Sequence, residues 1–130
     1  MRPTRYATAF DALAEPPVVR RTSGRVDVTL RVRVDDAAEI LAGHYPGVPI
    51  MPGVLVLDAV QQAVGAACGS GVRITAVERV RFLSPLRPGD VLALTVSITV
   101  EGAVRALGRQ RDGRLAIDLR ARLDGTPADD

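Results

Sequence analysis

Four positions in the middle of the chain carry residue types suited to moving a proton beside a carbonyl group. His44 is the single histidine among 130 residues, and neutral imidazole is the side chain best matched to proton transfer near pH 7. Asp58 interrupts the apolar run GVLVLDAVQQAVGAAC, where a carboxylate costs stability unless it is paired, hydrogen-bonded or needed. Gln62 follows one helical turn later, so on a helix it shares a face with Asp58 and the two form a polar patch in an apolar wall. Gly53 opens the same run. A helix N-terminus there presents unsatisfied N–H groups and the positive end of the dipole, which can polarise a carbonyl oxygen, and glycine lets a ligand approach the backbone. A base, a carboxylic acid and an amide donor facing one cavity suit abstraction of a proton next to a carbonyl. Each residue also has a plainer reading. A lone histidine is more often structural or merely exposed, Asp58 can be a partly exposed helix position, and every helix has an N-terminus.

The elements that must position these groups are legible from periodicity. Residues 24–34 (GRVDVTLRVRV) alternate strictly, with Val26, Val28, Leu30, Val32 and Val34 on one face, and predict a half-buried strand. Asp36 followed by Glu39 resembles a capping box opening a short helix through Leu41, with Gly43 as its stop and His44 just beyond. The segment HYPGVPIMPG contains Pro46, Pro49, Pro52, Gly47 and Gly53, which excludes a regular element and predicts a stiff loop. From Gly53 to Cys68 the residues favour helix, stopped by Gly69 and Gly71. Only Asp58, Gln61 and Gln62 break its apolar character, which predicts a helix enclosed on all sides, with Gly65 permitting close backbone packing. Residues 72–83, 90–101, 103–110 and 113–123 read as strands separated by Pro/Gly turns. Short connections require antiparallel neighbours. The expected architecture is α+β, a buried central helix wrapped by a mostly antiparallel sheet, in one domain over 1–124 with a disordered tail at 125–130.

Composition narrows the function classes. The chain is 47% hydrophobic and 25% charged, ordinary for one globular domain. Its 17 basic residues, all arginine, nearly balance 15 acidic ones, leaving a net charge of +2 that does not nominate nucleic acid. Tyr6, Phe10, Tyr45 and Phe82 are the only aromatics, too few for a base-stacking platform. No apolar stretch approaches the ~20 residues of a membrane span, and the N-terminal segment has no signal-peptide core, so the expected location is the cytoplasm. One cysteine and one histidine cannot build a thiolate or imidazole metal cage, so no metal site is expected. Cys68, at the end of the apolar helix, reads as a small buried hydrophobe.

Two segments carry a resemblance. GHYPGVPIMPGVLVLDAVQQ (43–62) resembles the active-site signature of hot-dog-fold 3-hydroxyacyl-acyl carrier protein dehydratases, the FabZ/FabA group, and VERVRFLSPLRPGD (77–90) resembles the segment after the central helix in that group. The resemblance implies a hot-dog fold and a dimer whose sheets join edge to edge, with each site at the subunit interface and His44 of one chain facing Asp58 of the other. It assigns His44 to removal of a C2 proton from a 3-hydroxyacyl thioester, Asp58 to protonating or orienting the departing hydroxyl, the Gly53 amide to the thioester carbonyl, and Gln62 to orienting Asp58 or its water. It places Tyr45, Pro46, Gly47, Met51, Pro52 and Phe82 at the substrate, Met51 as a wall of the acyl tunnel. It implies no cofactor beyond the phosphopantetheine of the acyl carrier protein, which is the expected partner together with a second hot-dog subunit in a homodimer, heterodimer or higher oligomer. Asp58 stands where the FabZ group usually has Glu and the FabA group has Asp, so 2-enoyl/3-enoyl isomerisation is an alternative activity. A partner-dependent subunit of a heteromeric dehydratase and a hot-dog thioesterase are the others. Arg79, Arg81 and Arg87 are either carrier contacts or plain solvated charge, and Asp90 reads as a turn residue.

Overall fold

The computed structural model of the protein describes residues 15–33, 53–69, 71–84 and 89–123. Six strands and one helix make up this part of the chain: β1 (Val18–Thr22), β2 (Arg25–Arg33), α1 (Gly53–Cys68), β3 (Ile74–Phe82), β4 (Val91–Thr99), β5 (Ala103–Arg109) and β6 (Leu115–Leu123). The strands form a single sheet in the order β1-β2-β4-β5-β6-β3, and every neighbouring pair is antiparallel. The expected short helix from Asp36, the proline-rich loop with His44, Tyr45, Pro46, Gly47, Met51 and Pro52, the candidate carrier contact Arg87 and the tail 125–130 lie outside the described residues.

Alternation builds the sheet's inner face. Val26, Val28, Leu30 and Val32 of β2 stand beside Leu92, Leu94, Val96 and Ile98 of β4, all buried. Val104 and Ala106 of β5 and Ile117, Leu119, Ala121 and Leu123 of β6 continue this face. Helix α1 lies across it, chiefly over β2 and β4, and contributes Leu55, Val56, Ala59, Val60, Ala63, Val64, Ala67 and Cys68 to the same core. The helix ends where the sequence places its stop: Gly69 has φ +107° and its N–H donates to the Gly65 carbonyl at 3.0 Å. Glycine at 108 serves another purpose. A Cβ there would lie 2.7 Å from Leu92 Cδ1 and 3.4 Å from Ile117 Cβ, so β5 approaches the core closely enough that Leu92 would have to shift to admit a side chain.

One strand has no counterpart in the sequence reading, and two expectations need correction. Strand β1 arises from VVRRT, whose residues are all exposed and carry no inside–outside alternation; it exists because Gly24, at φ +79°, reverses the chain so that Val18–Thr22 pairs with β2. Helix α1 is not enclosed in the single chain: Leu57, Asp58, Gln61, Gln62 and Gly65 are only half-buried and Ala66 is exposed. Gly65 makes no close backbone contact, since a Cβ there would meet nothing within 4 Å.

Candidate active site

Along about two turns of α1, the residues left half-open form a stripe. A helix rotates about 100° per residue, which brings Asp58, Gln61, Gln62 and Gly65 to one side while Val56, Ala59, Val60, Ala63 and Val64 face the sheet. Opposite that stripe is the inner face of β3. Val77, Val80 and Phe82 stand opposite Ala121, Leu119 and Ile117 of β6, so they share the concave face. Yet the three β6 residues are buried while Val77, Val80 and Phe82 are 42%, 40% and 54% exposed. The helix does not reach over them.

Between the stripe and the start of β3 lies a cavity of about 340 Å³ lined by Leu57, Asp58, Gln61, Ile74, Thr75, Ala76 and Val77. Among the described residues, Asp58 is the one ionisable group in that lining. Burial raises its carboxyl above the ordinary carboxylate value, and the hydrogen bond from Gln62 works the other way by favouring the anion. Gln62 Nε2 donates to Asp58 Oδ2 at 3.0 Å. The carboxyl group is therefore held in one orientation, partly desolvated, and biased toward its protonated form, which is the state that can hand a proton to a leaving group.

Helix α1 starts at Gly53, as the sequence indicates. Its first turn contains no acidic residue, so no side-chain carboxylate within it competes for the N-terminal amides. Asp58 and Gln62 are thus brought together, with Gly53 at the head of the same helix; Phe82 lies further along the trough and does not line the Asp58 cavity. Gln61 was legible only as a polar break in an apolar run. Its Nε2 donates to the Val72 carbonyl at 3.0 Å and its Oε1 accepts the Ile74 N–H at 2.8 Å, tying α1 to the entry of β3. A single glutamine gives no sequence signal for such a link, because its partners are backbone groups.

On the outer face of the sheet, Arg79 of β3 stands directly opposite Arg120 of β6, and Arg120 opposite Arg105 of β5. Asp118 neutralises Arg105 at 3.3 Å, and Glu78 pairs with Arg122 at 3.6 Å. Like charges directly across a strand pair are unfavourable. Asp90 lines a separate, smaller depression of about 250 Å³ with Glu15, Arg31, Arg33 and Arg111. Cys68 is buried as expected. Among the described residues no group of three His, Cys, Asp or Glu side chains is placed to hold a metal ion, and no helix is long and apolar enough to cross a membrane.

Comparison with known proteins bears on the family and the fold. Residues 20–111 match the family model of the ApeI-like proteins, described as ApeI dehydratase. The 3-hydroxyacyl-[acyl-carrier-protein] dehydratase FabZ of Chlamydia trachomatis serovar L2 is 38% identical over 71 residues, 48% of this chain and 46% of the relative. The corresponding protein of Thermomicrobium roseum is 38% identical over 91 residues, 64% of this chain and 58% of the relative. The chain thus spans about half the length of the curated relatives it matches. A crystal structure of an uncharacterized protein from Erwinia carotovora subsp. atroseptica superposes with a TM-score of 0.72 at 25% identity, covering 89% of this chain and 100% of that one. The dehydratase heterocomplex ApeI:P from Xenorhabdus doucetiae shares the fold, with a TM-score of 0.64 at 19% identity over 85% of this chain and 100% of that one. The fold is the hot-dog fold expected from the sequence, one central helix on a six-stranded antiparallel sheet, and the chain belongs to the ApeI-like dehydratase family.

Proposed function

We propose that the protein removes water from a 3-hydroxyacyl thioester carried on the phosphopantetheine of an acyl carrier protein, giving the 2-enoyl thioester in fatty-acid or polyketide synthesis. The observation that carries this reading is Asp58: a carboxyl group raised by burial, held by Gln62 and set in a largely apolar cavity. In the reaction His44 takes the C2 proton. The C2–H electron pair forms the new C2=C3 bond, the C3–O bond breaks, and Asp58 gives its proton to the departing oxygen so that water leaves. Charge developing on the thioester oxygen is met by the N–H groups at the start of α1, led by Gly53. Returning the proton from His44 to Asp58 resets the site. Tyr45, Pro46, Gly47, Met51 and Pro52 complete the acyl wall, with Phe82 along the trough.

The site needs a second hot-dog subunit. The half-open stripe of α1 and the uncovered Val77, Val80 and Phe82 support a dimer joined along β3, in which His44 of one chain faces Asp58 of the other. Covering one such side chain, already about half-buried, contributes about 1 kcal/mol. The Arg79–Arg120 pair supports an acidic carrier protein on the outer face of the same strands, where a negative partner would relieve the like-charge contact. A free, buried Cys68 fits a reducing cytoplasm.

The test is the intact mass of 3-hydroxyacyl carrier proteins incubated with the pure protein, beside His44→Ala and a light-scattering measurement of assembly. Loss of one water with the wild type alone supports the reading. A confirmed homodimer that removes no water across several chain lengths overturns it in favour of a subunit that needs a different hot-dog partner. A 3-enoyl product from a 2-enoyl thioester would add isomerisation, and a free acid would indicate a thioesterase.

A further inference from the structure

Gln61 lies on α1 three residues after Asp58 and lines the same cavity. Both ends of its carboxamide are engaged by the chain entering β3: Nε2 by the Val72 carbonyl at 3.0 Å, Oε1 by the Ile74 N–H at 2.8 Å. Neither polar atom is aimed at Asp58. Residues 69–73 join α1 to β3, so the side chain crosses the gap at the end where the two elements meet. Along the two elements Gln61 and Ile74 are the lining residues nearest that junction, and Leu57, Asp58, Thr75, Ala76 and Val77 lie further from it. With Nε2 and Oε1 each hydrogen-bonded to backbone, the glutamine is a braced partition, because moving it aside would break both bonds in a half-buried place.

We propose that Gln61 is a specificity-determining residue: its latched side chain forms the end wall of the cavity beside Asp58 and so limits the length of acyl group the protein accepts. The acyl nature of the ligand rests on the dehydratase reading above. Replacing glutamine by alanine removes four side-chain atoms and opens room for on the order of three methylene groups. Each added methylene that finds apolar contact strengthens binding about fourfold.

The experiment measures, by calorimetry on the full chain, binding of saturated acyl-pantetheine thioesters of increasing length to the wild type, Gln61→Ala and Gln61→Met. These ligands carry no 3-hydroxyl group and cannot be dehydrated, so binding is read independently of turnover. Affinity for the wild type should rise with chain length and then stop. In Gln61→Ala the rise should continue for two or three further carbons, increasing the long-to-short affinity ratio about tenfold or more. Gln61→Met keeps the bulk without the hydrogen bonds; it should melt at a lower temperature yet stop at the wild-type length. Gln61→Ser replaces Gln61→Ala if the latter does not fold. An unchanged limit in the shortened variant, an equal shift in Gln61→Met, or no binding of any acyl thioester would overturn the proposal. A shifted limit in a protein that dehydrates nothing would keep the wall and remove the dehydratase reading instead.

Discussion

Strands β2 and β4 bury every second residue along their length, whereas β3 leaves nearly all of its residues exposed. The two regions belong to one sheet, and their inner faces are both apolar. What differs is the cover. Helix α1 lies over β2 and β4 and seals Leu30, Leu92, Leu94 and Ile98, while Val77, Val80 and Phe82 face an open trough. One half of the molecule is a finished core. The other is a half-built one that leaves Asp58 and Gln62 reachable at its border. The Asp58–Gln62 pair sits at the boundary, where a carboxyl group is partly desolvated and still lines an open cavity.

Changes on the open side should act on activity more than on folding. Asp58→Asn is expected to reduce dehydration by about 10²–10⁴-fold, measured by product mass under single-turnover conditions. The same substitution should improve stability at neutral pH. A carboxyl raised in the folded state binds its proton more tightly there than in the unfolded chain, so wild-type stability falls as pH rises from the free value of 3.8 through the raised one. Asparagine does not titrate, and melting curves across pH should show the variant gaining on the wild type over that window, then keeping its lead. A variant that is inactive and also less stable at every pH would move Asp58 from the site into the structural framework.

Val80→Asp probes the cover itself. An aspartate on the exposed inner face of β3 leaves the fold of one chain intact but should convert the dimer to monomer, read by light scattering, and lower activity in parallel. Persistence of the dimer would place the interface elsewhere. On the sealed side the expected effect is the reverse: Leu94→Ala, at a fully buried position, should cost about 2–5 kcal/mol in denaturant unfolding while leaving the turnover of the folded fraction near normal. Gly108→Ala should be milder, about 1–3 kcal/mol, since Leu92 must shift to admit the new methyl group. The smallest expected effect is at Arg79→Glu, a several-fold rise in KM for carrier-bound substrate that shrinks at high salt.

The same contrast explains what could be read in advance. Strand β2 was legible because its partners are all in this chain, so its alternation matches its burial residue for residue. In β3 the order ITAVERVRF contains register shifts between Ile74 and Ala76 and between Val77 and Arg79, which break the period of two and hide its inner face. Helix α1 was located at both ends by its glycines, but its apolar girth was mistaken for enclosure; an apolar residue reports that a position will be covered, not by which chain. Asp58 and Gln62 were legible as a pair from their spacing, and their hydrogen bond confirms it. Gln61 was not, because its role is defined by the backbone of Val72 and Ile74. Strand β1 was missed since nothing in VVRRT distinguishes a pairing edge strand from an exposed segment.

The central claim is that two chains build each site, and subunit mixing tests it most directly. His44→Ala and Asp58→Asn are each purified inactive, then unfolded and refolded together or exchanged at low concentration. If His44 of one chain works with Asp58 of the other, a mixed dimer contains one complete pair, and random mixing should restore about a quarter of wild-type activity. Activity no greater than the sum of the two parents, with mixed dimers confirmed by mass, would contradict a site shared between chains.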